Sequence, residues 1–233
     1  GGMGGIGTAI CQRLHKEGFK VIAGCGPTRD YQKWLDEQKA AGYTFYASVG
    51  NVADWQSTVD AFSKAKAEHG PIDVLVNNAG ISFVGLLQDM SDAQWSEILN
   101  TNLSSVFYCC RSAIGHMVSQ KKGKIINISS MWGTVGASCE AAYSATKSGM
   151  NGLTKALAKE LAPSNVQVNA IACGVIDTAM NAQFSEEERE ALREEIPAGR
   201  FADSEEVAAL ALTLASGHSY LTGQIIGLDG GYI

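Results

Sequence analysis

Short apolar runs and longer stretches of helical periodicity alternate along the chain. Phe19-Lys-Val-Ile-Ala-Gly-Cys25, the segment 44–49, Ile72-Asp-Val-Leu-Val-Asn-Asn-Ala-Gly80, Gly123-Lys-Ile-Ile-Asn-Ile-Ser-Ser130, Val166-Gln-Val-Asn-Ala-Ile-Ala172 and the stretch from Leu221 read as strands. Several carry apolar residues without alternation, the pattern of a strand buried on both faces. Between them, 8–18, 31–41, 55–69, 91–112 and 143–161 show the three-to-four-residue recurrence of amphipathic helices. Asp54, Ser91, Ser185 with Glu188, and Asp203 with Glu206 supply capping signals, and Pro163 and Pro197 supply stops. Strands alternating with helices predict an α/β fold, a doubly wound parallel sheet of Rossmann type, built as a single domain over 1–233.

The first helix is preceded by Gly1-Gly2-Met3-Gly4-Gly5-Ile6-Gly7. A glycine turn entering a helix lets backbone N–H groups approach a pyrophosphate at the positive end of the helix dipole. Its spacing differs from G-x-G-x-x-G and points to a particular dinucleotide-binding lineage. In a doubly wound sheet a buried central strand is expected ahead of this turn, and the given sequence does not contain it. The expectation is therefore a first strand missing through truncation, with the edges of its neighbours exposed.

Candidate chemistry clusters between Ser129 and Lys147. If Tyr143 opens a helix, Lys147 lies one turn on and shares its face. An ammonium at about 4 Å in an effective dielectric of about 20 is worth roughly 4 kcal/mol, at most about three pKa units, so Tyr143 is expected to be more acidic than an ordinary phenol and usable as a general acid. Ser130 ends an apolar strand, where groups face the ligand crevice, and can hold a carbonyl oxygen. Asn102 falls in mid-helix; it is either a solvent-exposed residue or a buried one holding a local distortion and a water.

The second strand ends at Gly24-Cys25-Gly26 with Arg29 following, which favours the 2′-phosphate of NADP unless Asp30 faces the ribose instead. Asn51 and Val52 are placed to flank an adenine. Asn77, Asn78, Ala79 and Gly80 end a strand and serve as turn formers, as lining of the crevice, or both. The loop Cys173-Gly174-Val-Ile176-Asp-Thr178 is placed at the crevice, and the charged helix after Ser185 is either a lid or a solvated face.

Composition narrows the classes. The chain has 233 residues, 45% hydrophobic, with 26 glycines and a formal charge of −6, which fits one well-buried α/β domain and leaves no basic footprint for nucleic acid. Six cysteines lack C-x-x-C spacing and the four histidines lack ligand spacing, so no metal site is expected and the thiols read as free. Without an apolar run of about 18 residues, a cytoplasmic protein with no membrane partner is expected.

The glycine turn, Asn77-Asn-Ala-Gly80, Asn102, Ser130 and Tyr143-x-x-x-Lys147, in that order and spacing, resemble the short-chain dehydrogenase/reductase family over essentially the whole chain. The resemblance implies a tetrad: Ser130 positions a carbonyl, Tyr143 donates the proton, Lys147 binds the nicotinamide ribose and acidifies Tyr143, and Asn102 anchors a relay water. It also implies a homotetramer. Within the family, the opening turn is similar to the acetoacetyl-CoA-reducing branch and the segments from Asn77 onward to 3-oxoacyl-carrier-protein and aminopentanone reductases, as in a mosaic. NADPH-dependent reduction of a 3-oxoacyl thioester, carried by CoA or by acyl carrier protein, is the activity implied; a non-catalytic nucleotide-binding regulator is the alternative class. Cys173 where the family usually has Pro, and Asn51 where Asp is common, depart from the pattern near the cofactor, not in the tetrad.

Overall fold

The computed structural model describes residues 1–179 and 185–233. Six strands are present among them, and every pairing is parallel. β1 (Ile22–Cys25) and β2 (Tyr46–Val49) form one sheet; β3 (Val74–Asn77), β4 (Gly123–Ser130), β5 (Val166–Cys173) and β6 (Ile225–Leu228) form another in that order. The α/β parallel architecture matches the expectation from the sequence. Some elements differ in extent: the strand predicted from Phe19 pairs only from Ile22, and the helix predicted from Thr8 begins at Gly5.

Among the described residues the two sheets do not pair with each other. Residues 20–26 along β1 and 72–78 along β3 face each other across a cleft of about 1430 Å³, and Gly1 sits at its carboxyl end. There the Gly1 amino group donates to Gly24 O at 3.1 Å, and Gly2 N–H donates to the same carbonyl at 3.0 Å. In a parallel ladder alternate residues bond alternate neighbours. Val21 O accepts from Tyr46 N–H at the start of β2, Cys25 O from Gly50 N–H just past its end, and Asp73 O from Lys124 N–H on β4, so the backbones of Ile22, Val74 and Val76 turn toward the cleft.

Helices cover both faces. One side carries α1 (Gly5–Lys16), α2 (Tyr31–Ala40) and α9 (Ser204–Ser216), where Ile10, Leu14, Trp34 and Val207 join Ile126, Ile128 and Ile171 in one core. The other carries α3 (Trp55–His69), α5 (Ser105–Gln120) and α7 (Ala141–Leu161), where Val106, Met117 and Met150 join Ile125, Val166 and Val168. Neighbouring residues of β4 thus feed opposite cores, which is why its sequence is apolar without alternation. Burial of each such side chain contributes about 1.5–3 kcal/mol.

The predicted caps form. Asp54 accepts from Ser57 N–H at 2.7 Å, and capping boxes start α4 (Asp92–Leu99), α8 (Glu186–Glu195) and α9. Between α4 and α5 the chain does not break; Asn100–Ser104 takes one turn of π-helix, so the helix expected over 91–112 carries a distortion centred on Asn102.

Candidate active site

The first two turns of α7 bring Tyr143 and Lys147 to the end of β4. Short α6 (Trp132–Val135) links the two elements and packs so closely that a side chain on Gly133 would meet the Lys147 backbone at 2.8 Å. Ser130 Oγ accepts from Trp132 N–H at 3.2 Å and is hydrogen-bonded to Tyr143. Lys147 is 4% exposed; its Nζ donates to Ile128 O at 2.8 Å and lies 5.5 Å from the centre of the Tyr143 ring.

The electrostatics depart from the expectation in one respect. Enclosure of the Tyr143 hydroxyl raises its pKa above the ordinary value, the Ser130 hydrogen bond lowers it less, and Glu140 and Cys173 add to the rise. The predicted acidification by Lys147 is not found. Desolvation outweighs the Ser130 hydrogen bond, and the Lys147 ammonium is turned to Ile128 O. Lys147 pays the same cost: burial lowers it to about 8, with nearby Cys173 acting in the opposite direction. The Cys173 thiol, opposite Ser130 in the β4–β5 register, is pushed up to about 12 by burial.

Of the two readings of Asn102, the buried one holds. It is 0% exposed; its Oδ1 accepts from Ile81 N–H at 2.8 Å, and its Nδ2 donates to Ile81 O at 2.8 Å and to Thr146 Oγ1 at 3.2 Å. Asn102 therefore pins the loop leaving β3 to the helix that bears Tyr143. A Cβ placed on Gly80 would lie 3.5 Å from Asn102 Oδ1 and 3.6 Å from Lys147 Nζ, which places this residue beside both.

The glycine turn forms a cradle at the start of α1. A methyl on Gly7 would overlap Gly1 O, and one on Gly5 would lie 3.0 Å from Thr178 Cγ2, which brings Thr178 to the turn. Met3 and Ile6 pack on the core beneath it. Asn78 Nδ2 donates to Gly1 O at 2.9 Å and braces the cradle, while the Ala79 backbone lies directly against Gly1. Arg29 is exposed past β1, and Asp30 is occupied as the cap of α2, accepting from Lys33 N–H at 3.0 Å. Asn51 and Val52 line the cleft, the former closing its own turn by accepting from Ala53 N–H at 3.1 Å. With backbone N–H groups at a helix start, Gly1 and Gly7 where a side chain would clash, and a cation past β1, these residues fit a dinucleotide.

Two residues expected at the cofactor keep their side chains in the interior, although Asn77 also lines the cleft. Asn77 turns its amide into the core, donating to Asn127 Oδ1 at 2.8 Å, and Asn127 in turn donates to Thr154 Oγ1 at 2.8 Å. A buried amide needs partners, and these two satisfy it away from the crevice. Ile176, 4% exposed, buries its side chain in the core and leaves only its backbone to the loop that starts at Gly174.

Sequence reasoning missed several supports. Ser129 donates to Asn151 Oδ1 at 2.7 Å, and Asn151 and Ser148 both donate to Gly133 O, fixing α6 on α7. The polar pair Ser148 and Asn151, spaced i, i+3 on this helix, was the available signal. Among the described residues no helix is long and apolar enough to cross a membrane.

A family model described as short chain dehydrogenase matches residues 1–189. The acetoacetyl-CoA reductase of Cupriavidus necator is 45% identical over 99% of this chain and 95% of its own length. The 3-oxoacyl-[acyl-carrier-protein] reductase FabG of Thermotoga maritima is 40% identical over 100% and 95%. A crystal structure of a putative gluconate dehydrogenase from Agrobacterium tumefaciens superposes with a TM-score of 0.93 at 31% identity, covering 100% of this chain and 93% of that one. A serine, tyrosine and lysine gathered at the end of β4, a glycine cradle opening α1, and relatives at this identity over nearly the whole chain agree with one another: the protein is an oxidoreductase and belongs to the short-chain dehydrogenase/reductase family.

Proposed function

We propose that the protein reduces a 3-oxoacyl thioester to the 3-hydroxyacyl thioester with NADPH, acetoacetyl-CoA being the first substrate to test. The observation that carries the reading is the single cluster formed by Ser130, Tyr143 and Lys147, with Asn102 tying in the loop that leads back to the glycine cradle. The nicotinamide supplies the hydride to the carbonyl carbon when bound. The protein's own part is orientation and the proton. Ser130 holds the carbonyl oxygen, and Tyr143, kept protonated by its enclosure, gives its proton to that oxygen as the alkoxide develops. The resulting phenolate is stabilised by the Ser130 hydroxyl and by the Lys147 ammonium within reach of the ring.

The choice of NADPH over NADH rests on Arg29, with Asp30 engaged as a helix cap. The substrate class is supported by the acetoacetyl-CoA and 3-oxoacyl-carrier-protein reductases at 45% and 40% identity. The second of these favours a carrier-bound substrate on the same site. A homotetramer remains part of the proposal, supported by exposed Trp95 and Phe107 on α4 and α5, at 41% and 48%; light scattering during gel filtration measures it.

Following nicotinamide absorbance with acetoacetyl-CoA and a carrier-bound analogue, each with NADPH and NADH, tests substrate and cofactor together. Tyr143→Phe is expected to lower turnover by about 10²–10⁴-fold, the usual contribution of a general acid, while NADPH still binds. Undiminished turnover in that variant refutes the mechanism.

A further inference from the structure

One carboxylate stands on the catalytic face without a part in the reduction. Glu140 immediately precedes α7, three residues ahead of Tyr143. Its Oε1 accepts a short hydrogen bond, 2.5 Å, from Ser82 Oγ on the loop leaving β3. Beside it Gly85 N–H donates to Cys139 O at 2.8 Å. These two ties clasp the loop after Asn102's partner Ile81 onto the segment that leads into Tyr143. Among the described residues no lysine, arginine or histidine forms an ion pair with Glu140. The nearest catalytic cation, Lys147, is enclosed and bonded to Ile128 O. The negative charge of Glu140 reaches the Tyr143 hydroxyl, where it opposes loss of the proton.

We propose that Glu140 is a substrate-selecting residue: its carboxylate, held on the catalytic face by Ser82, turns away ketones that carry their own carboxylate close to the reacting carbonyl and leaves neutral 3-oxo esters and thioesters as substrates. The proposal rests on the ketone-reductase reading above. A carbonyl oxygen bonded to Ser130 and Tyr143 puts a carboxylate two carbons away into the same field that Glu140, held three residues ahead of Tyr143 by Ser82, exerts on the Tyr143 hydroxyl, and like charges repel there until salt screens them. A thioester or ester at that position carries no charge and meets no such repulsion. At an effective dielectric of about 20 the discrimination amounts to roughly tenfold or more.

The test compares kcat/KM for acetoacetate and for ethyl acetoacetate on the full chain with NADPH. The wild-type protein is expected to prefer the ester by about tenfold or more, and this preference is expected to shrink as salt is raised. Glu140→Gln keeps an oxygen to accept from Ser82 and removes the charge. It is expected to narrow the ratio by about tenfold through a gain on acetoacetate, and to abolish its dependence on salt. An unchanged ratio in Glu140→Gln, or a wild-type preference for the ester that salt does not alter, overturns the proposal while leaving the reductase reading intact. A wild-type protein that reduces neither ketone nor acetoacetyl-CoA overturns that reading and this one with it. The salt series on the wild-type protein decides the matter even if the variant does not fold.

Discussion

Replacing Lys147 by Met is expected to make the protein more stable and inactive. The ammonium is enclosed, and its pKa falls from 10.5 to about 8 because burial disfavours the charged form. At about 1.36 kcal/mol per unit, the folded state carries a cost of about 3 kcal/mol at every pH below the folded value. Methionine has a similar length, no charge, and packs well in irregular apolar space. It forfeits the hydrogen bond to Ile128 O, worth about 1 kcal/mol, so a net gain of about 2 kcal/mol is expected at pH 7. The sign follows from proton binding. Between about 8 and 10.5 the unfolded chain keeps the Lys147 proton while the folded protein releases it, so wild-type stability rises with pH over that window. The advantage of the variant should therefore be full below pH 8 and fade toward pH 10.5. Urea unfolding of both proteins without cofactor, at pH 7 and near pH 10, measures it; the difference cancels other groups that titrate. A variant less stable than wild type at pH 7, or an advantage that does not change with pH, would refute the argument.

Asn102→Leu should leave the N–H and C=O of Ile81 without partners, costing about 2–5 kcal/mol, visible as a lowered urea midpoint along with lost turnover. Gly7→Ala should force the glycine turn apart, since its methyl overlaps Gly1 O; calorimetric titration should show NADPH affinity reduced by about tenfold or more, with the fold's circular dichroism retained. Joining six β-branched residues ahead of Gly1 should fill the cleft between β1 and β3, raise the melting temperature, and slow amide exchange at Val74 and Val76. The same segment with a central proline should do neither.

The fold was legible wherever one physical constraint dominated. β4 and β5 are buried on both faces, so their apolar runs could belong only to inner parallel strands, and Asp54, Ser91 and Ser185 announced helices because orphan N–H groups need acceptors. Tyr143 and Lys147 were legible as a pair because helical spacing fixes their face. Their acidities were not, because desolvation depends on how deeply α6 and α7 enclose them, which no local pattern encodes. Asn77 and Asn78, adjacent and identical in type, show the same limit. One bonds Asn127 in the interior and the other braces Gly1, and only the strand's two-residue alternation, anchored by its neighbours in the sheet, decides which goes where.

The turn at Asn100–Ser104 holds one residue more than a regular helix of the same path would. Removing that surplus residue would restore ordinary α-helical bonding through α4 and α5, and it would swing everything on one side by about 100° about the axis. Asn102 would then leave Ile81, and the loop above the phenol would lose its anchor. A shortened variant could thus melt later in its helix and still be dead as an enzyme, so the irregularity works as a spacer whose length sets where the amide arrives.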